Sequence, residues 1–253
     1  MSDTPRHKPF LLLATRPEDA AADGEYEAIL RFGELRPSEL VRIRLEQESL
    51  PELDLSAFSG VIVGGGPFNV SDDDATKSLE QVRVEAALFS VVAKVVAHDY
   101  PYLGLCYGVG VLGKPLGAVV DREHGEEAGP VKVSLTAAGE ADPLLEGSPQ
   151  EFYALVGHKE AVSELPPNAT LLATSAAAPV QLFKVGQNAY AAQYHPELDV
   201  AGMRRRIEIY RDFGYFKPDE YTEVWERAGS QPVAASHLVL RNFISRYRRN
   251  FDS

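Results

Sequence analysis

Short apolar runs, each ended by a polar or glycine-rich segment, dominate the first half of the chain. Four of them predict buried strands, because each is too short for a core helix and stops at a turn signal. They are FLLLAT at 10–15, VRIRLE at 41–46, GVIVGGG at 60–66 and YLGLCY at 102–107. Between the third and fourth runs, apolar residues recur at intervals of three and four over 77–99, which predicts an amphipathic helix.

This alternation of strand and helix predicts a parallel sheet covered on both faces by helices. In such sheets, ligands bind beyond the carboxyl ends of the strands. The loops after the third and fourth strands, GGGPFN and CYGVG, are therefore the candidate positions for a functional site.

The second half of the chain has a different pattern. From about residue 117, shorter apolar runs joined by turns predict an antiparallel or mixed sheet that continues the same domain. After Pro196 the pattern predicts helices over 200–214, 218–229 and 234–249. We therefore expect an α/β fold, a three-layer sandwich around a mostly parallel central sheet. The predicted units are a main domain at 1–198 and a C-terminal helical extension at 199–253 that packs on it.

The composition narrows the classes of partner. The 25 basic and 37 acidic residues give a net charge of -12, which opposes binding to nucleic acid backbones and to anionic membrane surfaces. A single cysteine excludes an internal disulfide, and no apolar run reaches the roughly 18 residues of a spanning helix. The opening MSDTPRHKPF lacks the apolar stretch of a signal peptide. We expect a cytoplasmic protein with a reduced thiol.

The cysteine lies in GLCYG at 104–108, which has the form Gly-x-nucleophile-x-Gly. In that motif a strand turns abruptly into a helix and holds the nucleophile in a strained, exposed position. A side chain at Gly104 or Gly108 would clash where strand and helix approach each other. The helix N-terminus favours a thiolate, which predicts a pKa of roughly 7.5 or below for Cys106. The alternative is a small buried cysteine in a glycine-rich turn.

A histidine and a carboxylate follow the last predicted strand, in AYAAQYHPE at 189–197. In an extended segment, residues two apart point the same way, so Glu197 is expected beside the imidazole of His195. With Cys106 they suit a triad in which histidine accepts the thiol proton and the carboxylate fixes its tautomer. The alternative is a surface ion pair.

The run VIVGGGPF at 61–68 predicts a strand that enters a turn with free backbone N–H groups. An enzyme that forms a thioester needs two such groups aimed at the developing oxyanion. The run lacks the Lys-Ser or Lys-Thr of a phosphate loop, and its proline does not fit a dinucleotide fingerprint. On its own the run predicts only a tight turn. The segment EHGEE at 123–127 lacks the spacing of a helical histidine pair, so neither a metal nor another cofactor is predicted.

In this order, GGGP, GLCYG and QYHPE resemble the class I glutamine amidotransferases, in particular the amidotransferase domain of GMP synthase, over about residues 55–198. The resemblance implies a flavodoxin-like fold and hydrolysis of the glutamine side-chain amide to glutamate and ammonia. It further implies that Cys106 attacks the amide, that His195 protonates the departing ammonia, and that Glu197 orients His195.

The resemblance also extends to the surroundings of the reacting atoms. It implies an oxyanion hole formed by the backbone N–H groups of Gly66 and Tyr107. The segment VGHKEAV at 156–162 resembles the SHGD region of the family, which lines the glutamine pocket. The substrate-binding residues implied in this way are Gly65, Gly110, Gly157, His158 and Lys159.

The chain departs from the family pattern at one pocket position. Family members usually carry glutamine two positions after the second elbow glycine, whereas this chain has Gly110. The missing side chain predicts a roomier pocket, which would admit a substituted amide. Nothing in the chain resembles the SGGxDS loop of a synthase, so any synthase that uses the ammonia is expected on a separate polypeptide.

Three functions remain open from the sequence. The first is an amidotransferase-like hydrolase that releases ammonia from glutamine through a Cys106 thioester. The second is a γ-glutamyl hydrolase or peptidase on the same fold, which Gly110 and the missing synthase favour. The third is a catalytically silent binding module, which the presence of Cys106, His195 and Glu197 disfavours.

Overall fold

A computed structural model of the protein describes residues 7–213 and 216–251. The strands of the described chain are β1 Phe10–Ala14, β2 Leu40–Arg44, β3 Val61–Val63, β4 Tyr102–Leu105, β5 Val119–Asp121, β6 Glu126–Leu135, β7 Glu151–His158, β8 Ala161–Glu164, β9 Ala169–Ser175, β10 Leu182–Val185 and β11 Ala189–Ala192. Its α-helices are α1 Asp19–Phe32, α2 Leu79–Ala97, α3 Tyr107–Gly113, α4 Ala137–Glu140, α5 Val200–Ile209, α6 Tyr221–Arg227 and α7 His237–Tyr247.

Nine of the described strands form one sheet, in the order β2-β1-β3-β4-β11-β10-β9-β6-β7. The five strands from β2 to β11 run parallel to their neighbours, whereas β10, β9, β6 and β7 continue the sheet in antiparallel pairs. The prediction of a mostly parallel central sheet with an antiparallel continuation is therefore confirmed. The carboxyl ends of β3, β4 and β11, three adjacent strands, lie at the same edge.

Helices cover both faces of this sheet. Side chains alternate along β1, so Phe10 and Leu12 face one side while Leu11 and Leu13 face the other, and all four are buried. Phe10 and Leu12 belong to a core shared with α1 and α7. Leu11 and Leu13 belong to a second core, shared with α2 and α3. These two cores make the three-layer sandwich that the alternation of strands and helices predicts.

The buried face of α2 differs from the one that its apolar spacing predicts. Leu79 and Val82 are 90% and 47% exposed, whereas the polar Gln81 and Glu85 are buried. Glu85 accepts hydrogen bonds from Gln81 Nε2 at 2.9 Å and from Lys77 Nζ at 2.8 Å. Because these polar groups satisfy one another, the first two turns of α2 bury Gln81 and Glu85 and leave Leu79 and Val82 in solvent.

The C-terminal helices pack on the rest of the molecule. Helix α5 lies against α1, α6 lies against α5 and β6, and α7 covers the core of β1. The helix predicted over 200–214 ends at Ile209, and residue 214 lies outside the described residues. The unit boundary at residue 198 stays a prediction. No helix in the described part of the chain has the length and apolarity that a membrane crossing requires.

Candidate functional site

Cys106 occupies a single-residue turn between a strand and a helix. Strand β4 ends at Leu105 and α3 begins at Tyr107, and Cys106 between them has φ 53° and ψ −96°. A positive φ at a residue other than glycine is strained and costs roughly 1–3 kcal/mol. The turn also brings α3 against β4, because a Cβ atom at Gly104 would lie 2.5 Å from the carbonyl oxygen of Gly108. The backbone thus has the elbow geometry that the spacing of GLCYG predicts.

Two clefts meet at this turn, and both are lined by Gly66, Cys106 and Gly157. The first, which we name the α3 cleft, encloses about 370 Å³ of empty space, part of it open to solvent. Its further lining includes Tyr107, Gly110, His158, Lys159, Glu160 and Gln193. The second, which we name the α5 cleft, encloses about 490 Å³ of empty space, part of it open to solvent. Its further lining includes Arg16, His195, Met203, Arg206, Ile207 and Phe216.

His195 and Glu197 form a buried hydrogen-bonded pair. Nδ1 of His195 lies 2.8 Å from Oε1 of Glu197, and the two residues are 4% and 0% exposed. The extended geometry predicted for this pair is wrong. Strand β11 ends at Ala192, and the N–H of Leu198 donates to the carbonyl of His195 at 3.1 Å, so a turn brings the two side chains together.

The protonation of the pair follows from its surroundings. Burial lowers the pKa of His195, and its partner Glu197 opposes this only in part. Burial would raise the pKa of Glu197, but His195 and Arg206 hold it below its usual range. The pair is therefore a neutral imidazole beside a carboxylate. Because Nδ1–H donates to Glu197, Nε2 keeps the lone pair that a general base needs.

Two arginines and a second glutamate surround the pair, and none of the three was predicted from the sequence. Arg206 Nη2 lies 3.1 Å from Oε1 of Glu197 and 3.4 Å from Oε1 of Glu25. Arg16 Nε lies 3.1 Å from the same oxygen of Glu25. All four charged side chains are buried, and they come from the loop after β1, α1, the turn after β11 and α5. Buried charges persist when they are paired in this way.

The glycines of the GGGP turn permit this arrangement. A Cβ atom would clash with Glu25 at Gly64, with Arg16 at Gly65 and with Thr15 at Gly66. The N–H of Gly65 donates to Oε1 of Glu25 at 3.1 Å. Gly65, expected among the substrate-binding residues, therefore holds the charged network and lines neither cleft. Gly66 and Tyr107, the expected oxyanion donors, both line the α3 cleft.

The roomier pocket predicted at Gly110 is absent, because another side chain fills that space. A Cβ atom at Gly110 would lie 2.5 Å from Cγ2 of Val70 and 3.2 Å from Oε1 of Glu160. Glu160 holds Val70 in place, since its carboxylate accepts from the N–H groups of Val70 at 2.9 Å and Ser71 at 2.8 Å. The prediction failed because Val70, which comes from the loop after β3, is distant in sequence.

His158 shapes the wall of the α3 cleft. Its Nε2 lies 2.9 Å from Oε2 of Glu126, and its Nδ1 lies 2.8 Å from the carbonyl oxygen of Glu160. Both ring nitrogens face acceptors, so the side chain fixes the segment that also carries Gly157 and Lys159. Lys159 is half-buried at the rim, where Nζ donates to the carbonyl of Phe213 at 3.4 Å.

Gln193 is a further cleft residue that the sequence did not single out. It is 1% exposed, lines the α3 cleft, and its Oε1 has no hydrogen-bond partner among the described residues. A buried amide oxygen without a partner is costly, so this atom is available to a ligand donor. Its place two residues before His195 was the only signal in the sequence.

The low pKa predicted for the thiol is wrong. Burial raises the pKa of Cys106 to about 12, although Arg16 and Arg206 act in the opposite direction. Glu197 and Glu160 add to the increase. The resting side chain is therefore a neutral thiol, which requires a base when it acts as a nucleophile. No three metal-binding side chains are grouped for a metal ion in the part of the chain that the structure describes.

A family model and two named relatives match this chain in sequence. Residues 25–212 match the family model described as glutamine amidotransferase class-I. The chain is 32% identical over 164 residues to a subunit of the glutamine-hydrolyzing GMP synthase of Saccharolobus solfataricus, covering 64% of this chain and 79% of the relative. It is also 32% identical over 145 residues to the glutamine-hydrolyzing GMP synthase of Leifsonia xyli. That match covers 55% of this chain and only 26% of the relative.

A solved structure gives the same fold over nearly the whole chain. The crystal structure of a glutamine amidotransferase from Thermotoga maritima superimposes with a TM-score of 0.74 at 24% sequence identity. The superposition covers 95% of this chain and 98% of that one. It therefore includes most of the residues that follow residue 198.

Proposed function

Because the chain belongs to the class I glutamine amidotransferase family, we propose that it hydrolyses a γ-glutamyl amide, with glutamine as the reference substrate, through a thioester on Cys106. One observation carries this proposal. Cys106 on a strained elbow and His195 line one cleft, and His195 is a neutral imidazole that the buried Glu197 holds through Nδ1. Because the thiol and the imidazole are both neutral at rest, the thiol must give its proton to the imidazole when its sulfur attacks the substrate.

The proposed chemistry has two stages. Nε2 of His195 takes the thiol proton while Sγ of Cys106 bonds to the amide carbon, and the N–H groups of Gly66 and Tyr107 stabilise the oxyanion. Tyr107 is the first residue of α3, where a backbone N–H has no acceptor within the helix. The C–N bond then breaks as His195 returns the proton to the leaving nitrogen. Water cleaves the thioester, giving glutamate and the thiol.

The α3 cleft is the proposed site of the glutamyl group. It holds both proposed oxyanion donors together with Gly110, Gly157, His158 and Lys159. Oε1 of Gln193 supplies a buried acceptor, and Lys159 supplies a cation at the rim. A glutamyl group carries an ammonium and a carboxylate, so it needs groups of both kinds. Gly65 contributes indirectly, because its N–H donates to Glu25 of the charged network.

The proposal includes a partner enzyme only as the user of the ammonia that the reaction releases. The Saccharolobus relative is, by its name, one subunit of a GMP synthase. By analogy, any enzyme that uses ammonia from this chain would be a separate polypeptide.

The test compares the full chain with Cys106→Ala in an assay of glutamate released from L-glutamine. The substitution is expected to lower the rate by about 10³-fold or more, because it removes the nucleophile. Covalent labelling by 6-diazo-5-oxonorleucine should reach one equivalent per chain and require Cys106, the single cysteine. A rate that survives in the variant would refute the thioester. Alkylation by iodoacetamide without labelling by the glutamine analogue would instead support a silent binding module.

A further inference from the structure

The two clefts divide the groups that the proposed reaction needs. Tyr107 lines the α3 cleft and not the α5 cleft, whereas His195 lines the α5 cleft and not the α3 cleft. Cys106 lines both. Tyr107, one of the two proposed donors to the carbonyl oxygen, and His195, the acid for the leaving nitrogen, therefore lie on opposite sides of the nucleophile, while Gly66, the other donor, lines both clefts.

This division assigns the two halves of the substrate. The general acid must lie within hydrogen-bond reach of the leaving nitrogen, and the oxyanion donors must reach the carbonyl oxygen. The glutamyl half consequently lies in the α3 cleft, and whatever is attached to the leaving nitrogen extends into the α5 cleft. For glutamine that attachment is only hydrogen, and most of the α5 cleft would stay unused.

The walls of the α5 cleft suit an apolar group. Leu198, Met203 and Ile207 supply buried apolar side chains, and the half-buried Phe216 and Ala128 add to this apolar part of the lining. Apolar walls of this kind stabilise a bound alkyl group by removing its surface from water. Ammonia gains nothing from them.

The charged end of the cleft excludes one class of substituent. Arg16 and Arg206 line it, and their charges are paired with Glu25 and Glu197. A cation on the leaving amine would meet the two guanidinium groups that line the cleft, whereas their carboxylate partners do not line it. An uncharged alkyl substituent meets no such repulsion.

We propose that the substrates are N-substituted γ-glutamyl amides whose leaving amine carries an uncharged apolar group, which the α5 cleft binds. This inference rests on the proposed thioester chemistry and specifies its substrate class. Sγ of Cys106 bonds to the amide carbon, the C–N bond breaks, and His195 delivers the thiol proton to the amine. The apolar amine leaves, and water hydrolyses the thioester to glutamate.

The experiment measures kcat/KM for glutamate release by the full chain from three probes. They are L-glutamine, γ-L-glutamyl-isoamylamide and γ-L-glutamyl-putrescine, which present hydrogen, an apolar group and a cation to the α5 cleft. The value of kcat/KM for the isoamylamide is expected to exceed that for each of the other two probes by about tenfold or more. Burial of one to three methylene groups in an apolar pocket produces a difference of that size. Equal or higher kcat/KM for glutamine or for the putrescine conjugate would overturn the inference.

Substitutions in the cleft locate the effect. Ala128→Leu fills the α5 cleft and is expected to lower the ratio of kcat/KM for isoamylamide over glutamine by about tenfold. Phe216→Ala removes apolar wall and should lower the same ratio, which keeps the test valid if Ala128→Leu fails to fold. Ala138→Leu makes the same change at an exposed position in α4 and should leave the ratio unchanged. A ratio unaffected by both cleft variants would overturn the inference.

Failure of this inference can be told from failure of the proposed function. If Cys106 is labelled by the glutamine analogue and glutamine is hydrolysed in preference to both conjugates, the thioester stands and the apolar substrate class falls. If none of the three probes yields glutamate and Cys106 is not labelled, both proposals fall.

Discussion

Arg206 of α5 donates a hydrogen bond of 3.1 Å from Nη2 to Oε1 of Glu197 in the turn after β11. Its Nη1 lies 3.1 Å from Nδ1 of His195, which already donates to Glu197. One guanidinium therefore touches both members of the pair. It stabilises the carboxylate and disfavours a second proton on the imidazole.

Substitution of Arg206 should shift the pH dependence of activity. Arg206 contributes to the lowered pKa of His195, so Arg206→Met is expected to raise that pKa. Since the base must be neutral, the acid limb of kcat/KM should move to higher pH. Initial rates of glutamate release between pH 5 and 8 measure this shift.

Arg206→Lys is the matched control for this shift, because it keeps the positive charge and loses only the planar fork. Its acid limb should stay close to that of the unaltered chain even if its rate falls. An acid limb that moves equally in the Lys and Met variants would contradict the electrostatic role of Arg206.

The unaltered chain should itself have an unusual acid limb. Burial lowers the pKa of His195 below its ordinary 6.5, so the imidazole stays neutral and competent as a base under mildly acid conditions. The acid limb of kcat/KM is therefore expected below pH 6.5, and activity should change little between pH 6.5 and 8. A midpoint above pH 7 in the pH profile would contradict this electrostatic picture.

The side chain of Cys106 should be a neutral thiol at physiological pH, so its alkylation should depend on a small thiolate fraction. Burial raises the pKa of Cys106 to about 12, so the thiolate fraction grows about tenfold per pH unit up to the alkaline limit of the folded protein. The rate of alkylation by iodoacetamide should follow that slope from pH 7 to 9.5, and mass spectrometry reports a single site because the chain has one cysteine.

N-acetylcysteine provides the reference for the alkylation series. Its rate should level off above the ordinary thiol pKa of about 8.5, whereas the rate at Cys106 should continue to increase. A plateau for Cys106 below pH 8 would instead demonstrate a thiolate stabilised by α3, as the position of the cysteine at a helix N-terminus suggests from sequence.

Local sequence predicted the elements well, because the causes of those elements are local. The contact between Gly104 and Gly108 at the Cys106 elbow is local, and GLCYG contains both residues. The charged network around His195 instead depends on residues that are distant in sequence. Arg206 and Glu25 are 181 positions apart, and although each falls at helical spacing among the buried residues of its helix, that spacing does not indicate its charged partner. The same reason explains why Val70 could not be placed against Gly110 from the sequence.

Gly110 and Val70 should behave as a coupled pair. Gly110→Gln introduces a side chain against Cγ2 of Val70 and is expected to destabilise the fold by about 1–3 kcal/mol. Val70→Ala alone removes buried methyl groups and should also destabilise the fold, by roughly 1 kcal/mol or more. In the double variant the new glutamine side chain can occupy the space that Val70 vacates. Its loss of unfolding free energy should therefore be smaller than the sum of the two single losses by at least about 1 kcal/mol.

Urea unfolding of the four proteins measures this coupling. Additive losses would mean that the space beside Gly110 is not the one that Val70 fills. Glutamate release adds a functional readout, because a glutamine side chain admitted by the double variant would lie in the α3 cleft.

Gly104 offers the most direct test of how the elbow is built. A Cβ atom there would lie 2.5 Å from the carbonyl oxygen of Gly108 and 2.7 Å from its carbon, and backbone atoms cannot rotate away. Gly104→Ala should therefore destabilise the fold by about 1–3 kcal/mol and displace α3, with a loss of labelling at Cys106.

Gly24→Ala is the control, because its Cβ would meet only Arg205, at 3.8 Å. Within α1 that change should stabilise the fold by about 0.5–1 kcal/mol. Urea unfolding separates the two cases, and equal effects at both glycines would mean that chain entropy, rather than the contact with Gly108, requires glycine at the elbow.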